Sequence, residues 1–198
     1  LLNRARIFMH QLQCDPSIKW DDQLNEAKRR EWRNIVRQVN GASLPTIRRS
    51  FGSRNGKFDL IACTDASHLL YGVVIYLHNL QDNSLNFVLG KNRIINHQLK
   101  TKSIPSLELT AIAFGVKVLQ EAYQDLSGEG CMIPITIERV FLYSDSSCSL
   151  HWLYSLTARL DKMNKLPIFT MNRLNFIKNA CENFPVRFRF ISGKDNPA

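Results

Sequence analysis

Residues 58–67 have the sequence Phe-Asp-Leu-Ile-Ala-Cys-Thr-Asp-Ala-Ser, a short apolar run that ends at an acid, Asp65. Runs of this length and composition are typical of buried strands. Two further strands are predicted over 71–77 and 85–89, and the turn-forming segment 79–84 separates them. Because the connections are short, we expect the three strands to form an antiparallel meander.

Beyond the meander, the chain alternates between helical and strand patterns. A second apolar strand again ends just before an acid, Asp145. The resulting order is β-β-β-α-β-α-α-β, which is typical of a three-layer α/β domain with a mixed sheet. In chain order, the predicted elements after the meander are a helix over 105–123, a strand over 137–143, helices over 149–156 and 171–181, and a strand over 186–191.

Residues 1–57 differ from this α/β pattern. Apolar side chains at helical spacing, among them Trp32, Ile35 and Val39, predict an amphipathic helix, with Asp21 and Asp22 near its start. Its opposite face is basic and carries Lys28, Arg29, Arg30, Arg33 and Arg37. This face is either an ordinary solvated helix surface or a patch that contacts a nucleic-acid backbone, and the sequence leaves both interpretations open.

Composition limits the class of protein. The 198 residues carry 26 Lys and Arg against 17 Asp and Glu, and this excess favours a polyanionic partner, nucleic acid before membrane. No run of about 18 apolar residues could span a bilayer. Five widely spaced cysteines favour reduced thiols and an intracellular, cytoplasmic location. Since the chain starts at Leu1 without a secretory signal, we expect a piece of a longer protein.

Three acids stand out against this background. Asp65 and Asp145 end two predicted strands, and Glu108 lies in the first turns of the predicted long helix. If the two strands are parallel neighbours, both carboxylates emerge at the same sheet edge. Oxygen donors of this kind suit Mg²⁺, and paired ions of this class promote phosphodiester hydrolysis. The ordinary alternative is that each acid is a turn or helix cap, and spacing alone does not show that the three converge.

The order of several short motifs resembles that in the ribonuclease H domain of retroelement reverse transcriptases, and more specifically in Bel/Pao long-terminal-repeat retrotransposons. The motifs are Thr-Asp-Ala-Ser at 64–67, Ile-Pro-Ser-Leu-Glu-Leu at 104–109, Ser-Asp-Ser at 144–146 and Gly-Lys-Asp-Asn-Pro-Ala at 193–198. The resemblance implies an α/β, ribonuclease H-like three-layer fold: a five-stranded mixed sheet with its first three strands antiparallel, helices on both faces and an N-terminal helical extension. It divides the chain into a connector from the polymerase thumb region over 1–57 and a ribonuclease H-like domain over 58–198.

The same resemblance implies a Mg²⁺-dependent endonuclease that cleaves the RNA strand of RNA–DNA hybrids during reverse transcription. Asp65, Glu108 and Asp145 match the first three catalytic, metal-binding acids, which hold two Mg²⁺ ions or Mn²⁺ in their place. The family's fourth acid directly follows Asn-Pro-Ala, a motif that ends here at Ala198, and Asp195 lies upstream of that position. The implied partners are the hybrid, the polymerase thumb and the integrase of a Pol polyprotein, within cytoplasmic virus-like particles.

Residues beside the acids and a set of polar side chains are expected to contact substrate. Ala66, Ser67 and Ser146 adjoin the acids and are expected to contact the RNA strand, whose 2′-hydroxyls mark a hybrid. The side chains expected to hold phosphates are Lys91, Arg93, Asn172 and Arg173. For each basic residue, a solvated surface position is the ordinary alternative.

Two other functions remain open at this stage. The first is a catalytically weak or inactive ribonuclease H-like module that binds nucleic acid or docks other parts of a retroelement protein, because fold alone does not guarantee activity. The second is an integrase- or transposase-type nuclease, which is disfavoured because Asp65 is followed by Ala-Ser and a Tyr-Gly strand. Hybrid cleavage separates the enzyme from the binding module, and strand transfer on DNA ends separates the two enzymes.

Overall fold

The computed structural model describes residues 2–43, 56–96, 98–128, 134–157 and 166–198. The chain divides into two compact units, Leu1–Ile47 and Arg48–Ala198. Residues 44–55, near the end of the predicted connector, lie outside the described residues. The domain boundary expected after residue 57 therefore stays a prediction. Cys131 is also outside them, and the four described cysteines are free thiols.

The first unit contains two helices, α1 (Leu2–Gln13) and α2 (Glu26–Asn40). Helix α2 confirms the predicted amphipathic helix. It begins at Glu26 rather than beside Asp21 and Asp22, because the side chain of Asn25 caps it by accepting from the backbone N–H of Lys28 at 2.9 Å. Helix α1 was not predicted; apolar and polar residues are equally frequent in its sequence, and Phe8 is its one buried residue.

The predicted basic face of α2 is partly neutralised within the same unit. Lys28 pairs with Asp15 at 2.7 Å, and Arg33 pairs with Glu26 at 2.6 Å. Phe8 of α1 stacks on Trp32 of α2, with ring centroids 5.7 Å apart. These contacts favour the interpretation of this face as an ordinary helix surface with local ion pairs.

In the described part of the second unit, five strands form one sheet in the order β3-β2-β1-β4-β5. Strand β2 runs antiparallel to both β1 and β3, whereas β4 runs parallel to both β1 and β5. This arrangement confirms the predicted five-stranded mixed sheet with an antiparallel meander. The strands are β1 (Lys57–Ala66), β2 (Leu70–Asn79), β3 (Leu85–Ile94), β4 (Thr136–Ser144) and β5 (Val186–Phe190).

Three described helices of this unit, α3 (Ile104–Ser127), α4 (Ser147–Thr157) and α5 (Ile168–Asn183), cover the sheet. Helix α3 packs on β1, β2 and β4, and it also contacts α4 and α5. All three contribute buried apolar side chains to one core, for example Ile112, Leu150 and Leu174. The sheet and these helices therefore pack around one core, as expected for the predicted three-layer α/β class.

None of the described helices is long and apolar enough to cross a membrane.

Helix α3 approaches the sheet closely at Gly115. A Cβ built on this residue would lie 2.5 Å from Cγ2 of Thr64 and 3.1 Å from Cδ1 of Leu142. Thr64 is fully buried and directly precedes Asp65. The absence of a side chain at Gly115 thus sets the distance between α3, which carries Glu108, and the strand that carries Asp65.

We expect Gly115→Ala to destabilise the chain by about 1–3 kcal/mol, because overpacking at this contact outweighs the better helix propensity of alanine. Urea unfolding followed by circular dichroism measures the difference. Gly90→Ala is the matched control, since a Cβ there meets no atom nearer than 3.8 Å. Equal stability of Gly115→Ala and the wild type would contradict the close packing of α3 on β1.

Candidate active site

The pairing of β1 with β4 brings the two strand-end acids together. The strands are parallel and Thr64 lies opposite Ser144, so Asp65 and Asp145 are the next residues on neighbouring strands. The two acid-bearing strands thus meet the condition, left open by the sequence, under which both carboxylates emerge at one sheet edge. Both carboxylates leave the sheet at its carboxyl edge, where open α/β sheets place their sites.

The two aspartates form a site with excess negative charge. Burial raises the pKa of Asp65, and the nearby charge of Asp145 raises this pKa further. The backbone N–H of Ala66, which donates to Oδ1 of Asp65 at 2.7 Å, opposes these effects. Among the described residues, Oδ1 of Asp145 is a buried oxygen without a hydrogen-bond partner. A buried carboxylate oxygen without a donor is costly unless a cation compensates it.

Glu108 reaches the same edge from the first turns of α3. Ser103 occupies the N-cap position without a side-chain cap hydrogen bond, and Pro105 favours a helix start at Ile104, which puts Glu108 near the beginning of the helix. The half-buried Glu108 carboxylate accepts a hydrogen bond from the hydroxyl of Ser146 at 2.5 Å. Because Ser146 directly follows Asp145, one hydrogen bond links the helix acid to the strand-end acids.

The chain's last described segment, residues 191–198, lies along both strand ends. The backbone N–H of Ile191 donates to the carbonyl of Ser144 at 3.1 Å, and the Asn196 amide donates to the carbonyl of Thr64 at 3.0 Å. Between these two ties, a Cβ built on Gly193 would lie 3.0 Å from Oδ2 of Asp145. The segment is therefore attached to the peptides that precede each strand-end acid. The motif at 193–198 carries part of the family resemblance, but the sequence alone indicated no role for Asn196 or Gly193.

The acids do not form a ready metal cage. Across the ranges that the structure describes, no three His, Cys, Asp or Glu side chains are grouped closely enough to hold an ion. The donor set nevertheless fits a hard cation, because the partnerless oxygen of Asp145 and the raised pKa of Asp65 both indicate uncompensated charge. Asp65 and Asp145 would hold such an ion, with Glu108 as the third carboxylate.

The predicted contacts beside the acids differ in accessibility. Ser67 is exposed in the turn between β1 and β2, where its hydroxyl donates to the carbonyl of Leu70 at 3.1 Å, and Ala66 is half-buried. Ser146 is only 3% exposed and its hydroxyl is directed at Glu108. The structure therefore does not support the expected contact between the Ser146 hydroxyl and the RNA strand.

Two of the predicted phosphate ligands lie against aromatic rings that pack on a second core cluster. The buried residues of this cluster are Tyr71, Ile95, Leu99, Leu107 and Ala111. The guanidinium of Arg93 lies 5.1 Å from the ring centroid of Phe114, and that of Arg173 lies 3.3 Å from the centroid of Phe169. Both rings pack against this cluster, and so does the partly buried Ala66. Lys102, which sequence reasoning missed, lies over the same Phe169 ring at 4.9 Å. Lys102 and Phe169 are far apart in the sequence, so no local pattern predicts their contact.

The other predicted phosphate ligands are placed differently. Lys91 pairs with Glu121 on α3 at 2.8 Å, more than three helical turns beyond Glu108 along the helix. Asn172 is exposed on α5, next to Arg173. Arg173 also donates to the hydroxyl of Thr110 at 2.7 Å. The second core cluster therefore has three cations over the rings packed on it, those of Arg93, Lys102 and Arg173. Lys91 instead forms an ion pair with Glu121.

Comparison with solved structures identifies the fold. The foamy viral protease-reverse transcriptase in complex with dsDNA matches with a TM-score of 0.59 at 12% identity, over 96% of this chain and 34% of that chain. The foamy viral protease-reverse transcriptase in complex with RNA/DNA hybrid matches with a TM-score of 0.56 at 12% identity, over 96% and 22% of the respective chains. The chain thus spans about a third or less of the foamy viral chains it matches. At such identity the likeness shows the fold alone, and the five-stranded mixed sheet is that of the ribonuclease H-like fold.

A comparison with curated proteins finds no significant match. The family model described as "Pao retrotransposon-like RNaseH-like domain" matches residues 1–146, which include α1, α2, the four strands β1 to β4 and all three acids. The chain therefore belongs to the family of Pao retrotransposon-like RNaseH-like domains.

Proposed function

We propose that the chain is a Mg²⁺-dependent endonuclease that cuts the RNA strand of RNA–DNA hybrids during retrotransposon reverse transcription. The observation that carries this proposal is the pairing of Thr64 with Ser144, which sets Asp65 and Asp145 side by side. The buried Oδ1 of Asp145, partnerless among the described residues, adds support because a cation would compensate its charge.

Each acid has a defined task in this proposal. These carboxylates would hold Mg²⁺, and the chemistry that the ion would supply when bound is Lewis acidity toward a water molecule and the leaving oxygen of a phosphodiester. Asp65 and Asp145 bind from the strand ends and Glu108 binds from α3, so the acids orient the reactants rather than attack the substrate. Hydrolysis adds water across the P–O3′ bond and leaves a 3′-hydroxyl and a 5′-phosphate.

Substrate binding draws on charge and accessibility. The exposed Ser67 beside Asp65 is placed to contact the RNA strand, while Arg93, Lys102 and Arg173 are placed to meet phosphates. A foamy viral protein of the same fold has been solved with an RNA/DNA hybrid, which supports this substrate class. As part of the proposal, the chain works within a Pol polyprotein, with the polymerase and integrase as neighbours in cytoplasmic virus-like particles.

A second candidate is a module of the same fold that binds nucleic acid without cutting it. The observation that favours it is the lack of a ready three-carboxylate cage within the described ranges. Both candidates would bind nucleic acid through Arg93, Lys102 and Arg173, and they differ in whether the acids support cleavage. Hybrid cleavage that is lost when an acid is changed to its amide therefore identifies the nuclease.

Asp65→Asn is expected to lower Mg²⁺-dependent hybrid cleavage at least a hundredfold, because it removes one charged ligand and keeps the size of the side chain. Cleavage of a labelled hybrid by wild type and variant measures this effect. Asp125→Asn, an exposed change on the same unit, is the matched control and should cleave at the wild-type rate. Wild-type cleavage by Asp65→Asn would sink the proposed mechanism.

The same variant is expected to raise the free energy of unfolding by about 0.5–2 kcal/mol at pH 7 without metal, a range typical of relieving an unfavourable active-site charge. The pKa of Asp65 is raised on folding, so its ionisation opposes folding. The stability that its proton provides is complete below the ordinary Asp value of 3.8 and is lost as pH rises through the raised pKa of the folded chain.

The stability gain should therefore shrink as pH falls toward and below that ordinary value. Thermal unfolding of both proteins across pH measures the gap, and Mg²⁺ should narrow it at pH 7 by stabilising the wild type alone. A gap of constant size at every pH, or a destabilised variant at pH 7, would contradict an unfavourable charge on Asp65 that arises from burial and, to a smaller extent, from Asp145.

Arg93→Gln is expected to weaken hybrid binding similarly for all sequences and to reduce the slope of log K against log salt by about 1, because it removes one phosphate contact. Fluorescence anisotropy at several salt concentrations measures both values. Lys178→Gln, an exposed charge change on α5, is the control and should leave the slope unchanged. Equal slopes for Arg93→Gln and the control would remove Arg93 from the nucleic-acid interface.

A further inference from the structure

Three serines lie buried at the junction between β4 and α4. Ser144, Ser146 and Ser149 are 2%, 3% and 0% exposed, respectively. Buried hydroxyls need partners, and the oxygen of each of these serines takes part in a hydrogen bond, either within the junction or to α3. The cluster lies beside Asp145, which separates Ser144 from Ser146 along the chain.

The direction of each hydrogen bond follows from the chemistry of the acceptors. A carbonyl accepts only, so the hydroxyl of Ser149 donates to the carbonyl of Pro105 at 3.0 Å. An ionised carboxylate also accepts only, so the hydroxyl of Ser146 donates to Glu108, while Oγ of Ser149, at 2.8 Å, is a second acceptor facing the same hydroxyl. Ser146 Oγ in turn accepts from the backbone N–H of Ser149 at 3.2 Å. The Ser146 hydroxyl is thus oriented by α4 and directed at Glu108.

These contacts connect α3, which carries Glu108, to α4, which begins two residues after Asp145. Pro105 and Glu108 lie in the first turns of α3, and Ser149 lies in the first turn of α4. Ser149 ties the start of α4 to the start of α3, while Ser146 reaches the Glu108 carboxylate itself. Without such a bond, the long Glu108 side chain keeps rotamer freedom that it must lose on binding an ion.

We propose that Ser146 is a positioning residue that fixes the Glu108 carboxylate beside Asp145 for cation binding. The inference rests on the proposed function and replaces the role of an RNA contact that the sequence suggested for this hydroxyl. Ser146 acts through Glu108 and touches no substrate in this account. Groups that hold a metal-binding carboxylate by hydrogen bonds commonly change metal affinity by 10- to 100-fold when removed.

A purely structural role is the rival explanation, because the Ser146 hydroxyl also caps α4 through Ser149. A cap stabilises the helix whether or not Glu108 is present. Coupling between Ser146 and Glu108 in a metal-binding measurement therefore separates the two roles, since independent effects add and effects through a shared group do not.

The test measures Mn²⁺ binding to the full chain without nucleic acid, by electron paramagnetic resonance, for wild type, Ser146→Ala, Glu108→Gln and the double variant. We expect Ser146→Ala to weaken Mn²⁺ binding about tenfold. In the Glu108→Gln background, the same change should cause no further loss. Ser147→Ala, an exposed neighbour on the first turn of α4, is the matched control and should bind as the wild type does.

Ser146→Gly guards against loss of the helix cap, because glycine is well tolerated at cap positions. It should show the same tenfold loss while unfolding close to the wild-type temperature, and Ser146→Thr, which keeps a hydroxyl, should recover part of the affinity. Equal Mn²⁺ affinity of wild type and both hydroxyl-free variants would overturn the inference. So would an equal loss in both Glu108 backgrounds, or a wild type that binds no Mn²⁺.

Failure of the proposed function gives a different result. Wild-type protein that shows the Ser146–Glu108 coupling in Mn²⁺ binding, yet leaves hybrids uncut in Mg²⁺ and in Mn²⁺, rejects the nuclease and keeps the positioning role. Wild-type protein that cuts hybrids without any coupling keeps the nuclease and rejects the positioning role.

Discussion

The parallel register between β1 and β4 is the constraint on which the candidate site depends. Thr64 lies opposite Ser144, so the next residue on each strand is an aspartate. Side chains alternate between the faces of a sheet, and a slip of one residue would send one aspartate to the opposite face. Because backbone hydrogen bonds fix the register, the two carboxylates are held together despite their mutual repulsion, an arrangement that is typical of functional sites rather than of structural ion pairs.

Three contacts from distant parts of the chain secure this edge. Gly115 lets α3 pack against Thr64, Ser146 links the Glu108 carboxylate to the residue after Asp145, and Asn196 ties the last segment to the carbonyl of Thr64. Each contact joins an element to the peptide or side chain adjacent to an acid. Helix packing, a buried hydroxyl and the last segment of the chain therefore all contact the region around the two strand-end acids.

Local sequence was sufficient to predict much of the fold and both strand-end acids. An apolar run that stops at an aspartate is visible without tertiary information, whereas the pairing of the two acid-bearing strands was left open by the sequence, because two strands and a helix intervene between them. Strand β3 extends to Ile94, beyond the predicted 85–89, because pairing with β2 continues through Leu70 opposite Ile94. Helix α1, whose one buried residue is Phe8, depends on tertiary packing, which local periodicity does not encode.

The parts of the site that escaped prediction depend on contacts between distant residues. Asn196 and Thr64 are 132 positions apart, and Ser146 and Glu108 are 38 apart. No spacing rule connects such pairs, so Ser146 was expected to face the RNA strand, and Asn196 and Lys102 were given no role. The resemblance to a family supplied the identity of the three acids, whereas the groups that hold them became visible only in the structure.

A crystal of the full chain grown with Mn²⁺, with anomalous diffraction recorded at the manganese edge, tests the central claim most directly. The account predicts an anomalous peak at the carboxyl edge of β1 and β4, coordinated by carboxylate oxygens of both Asp65 and Asp145. An ordered crystal in saturating Mn²⁺ with no peak there, or with Mn²⁺ only at surface acids elsewhere, would contradict it.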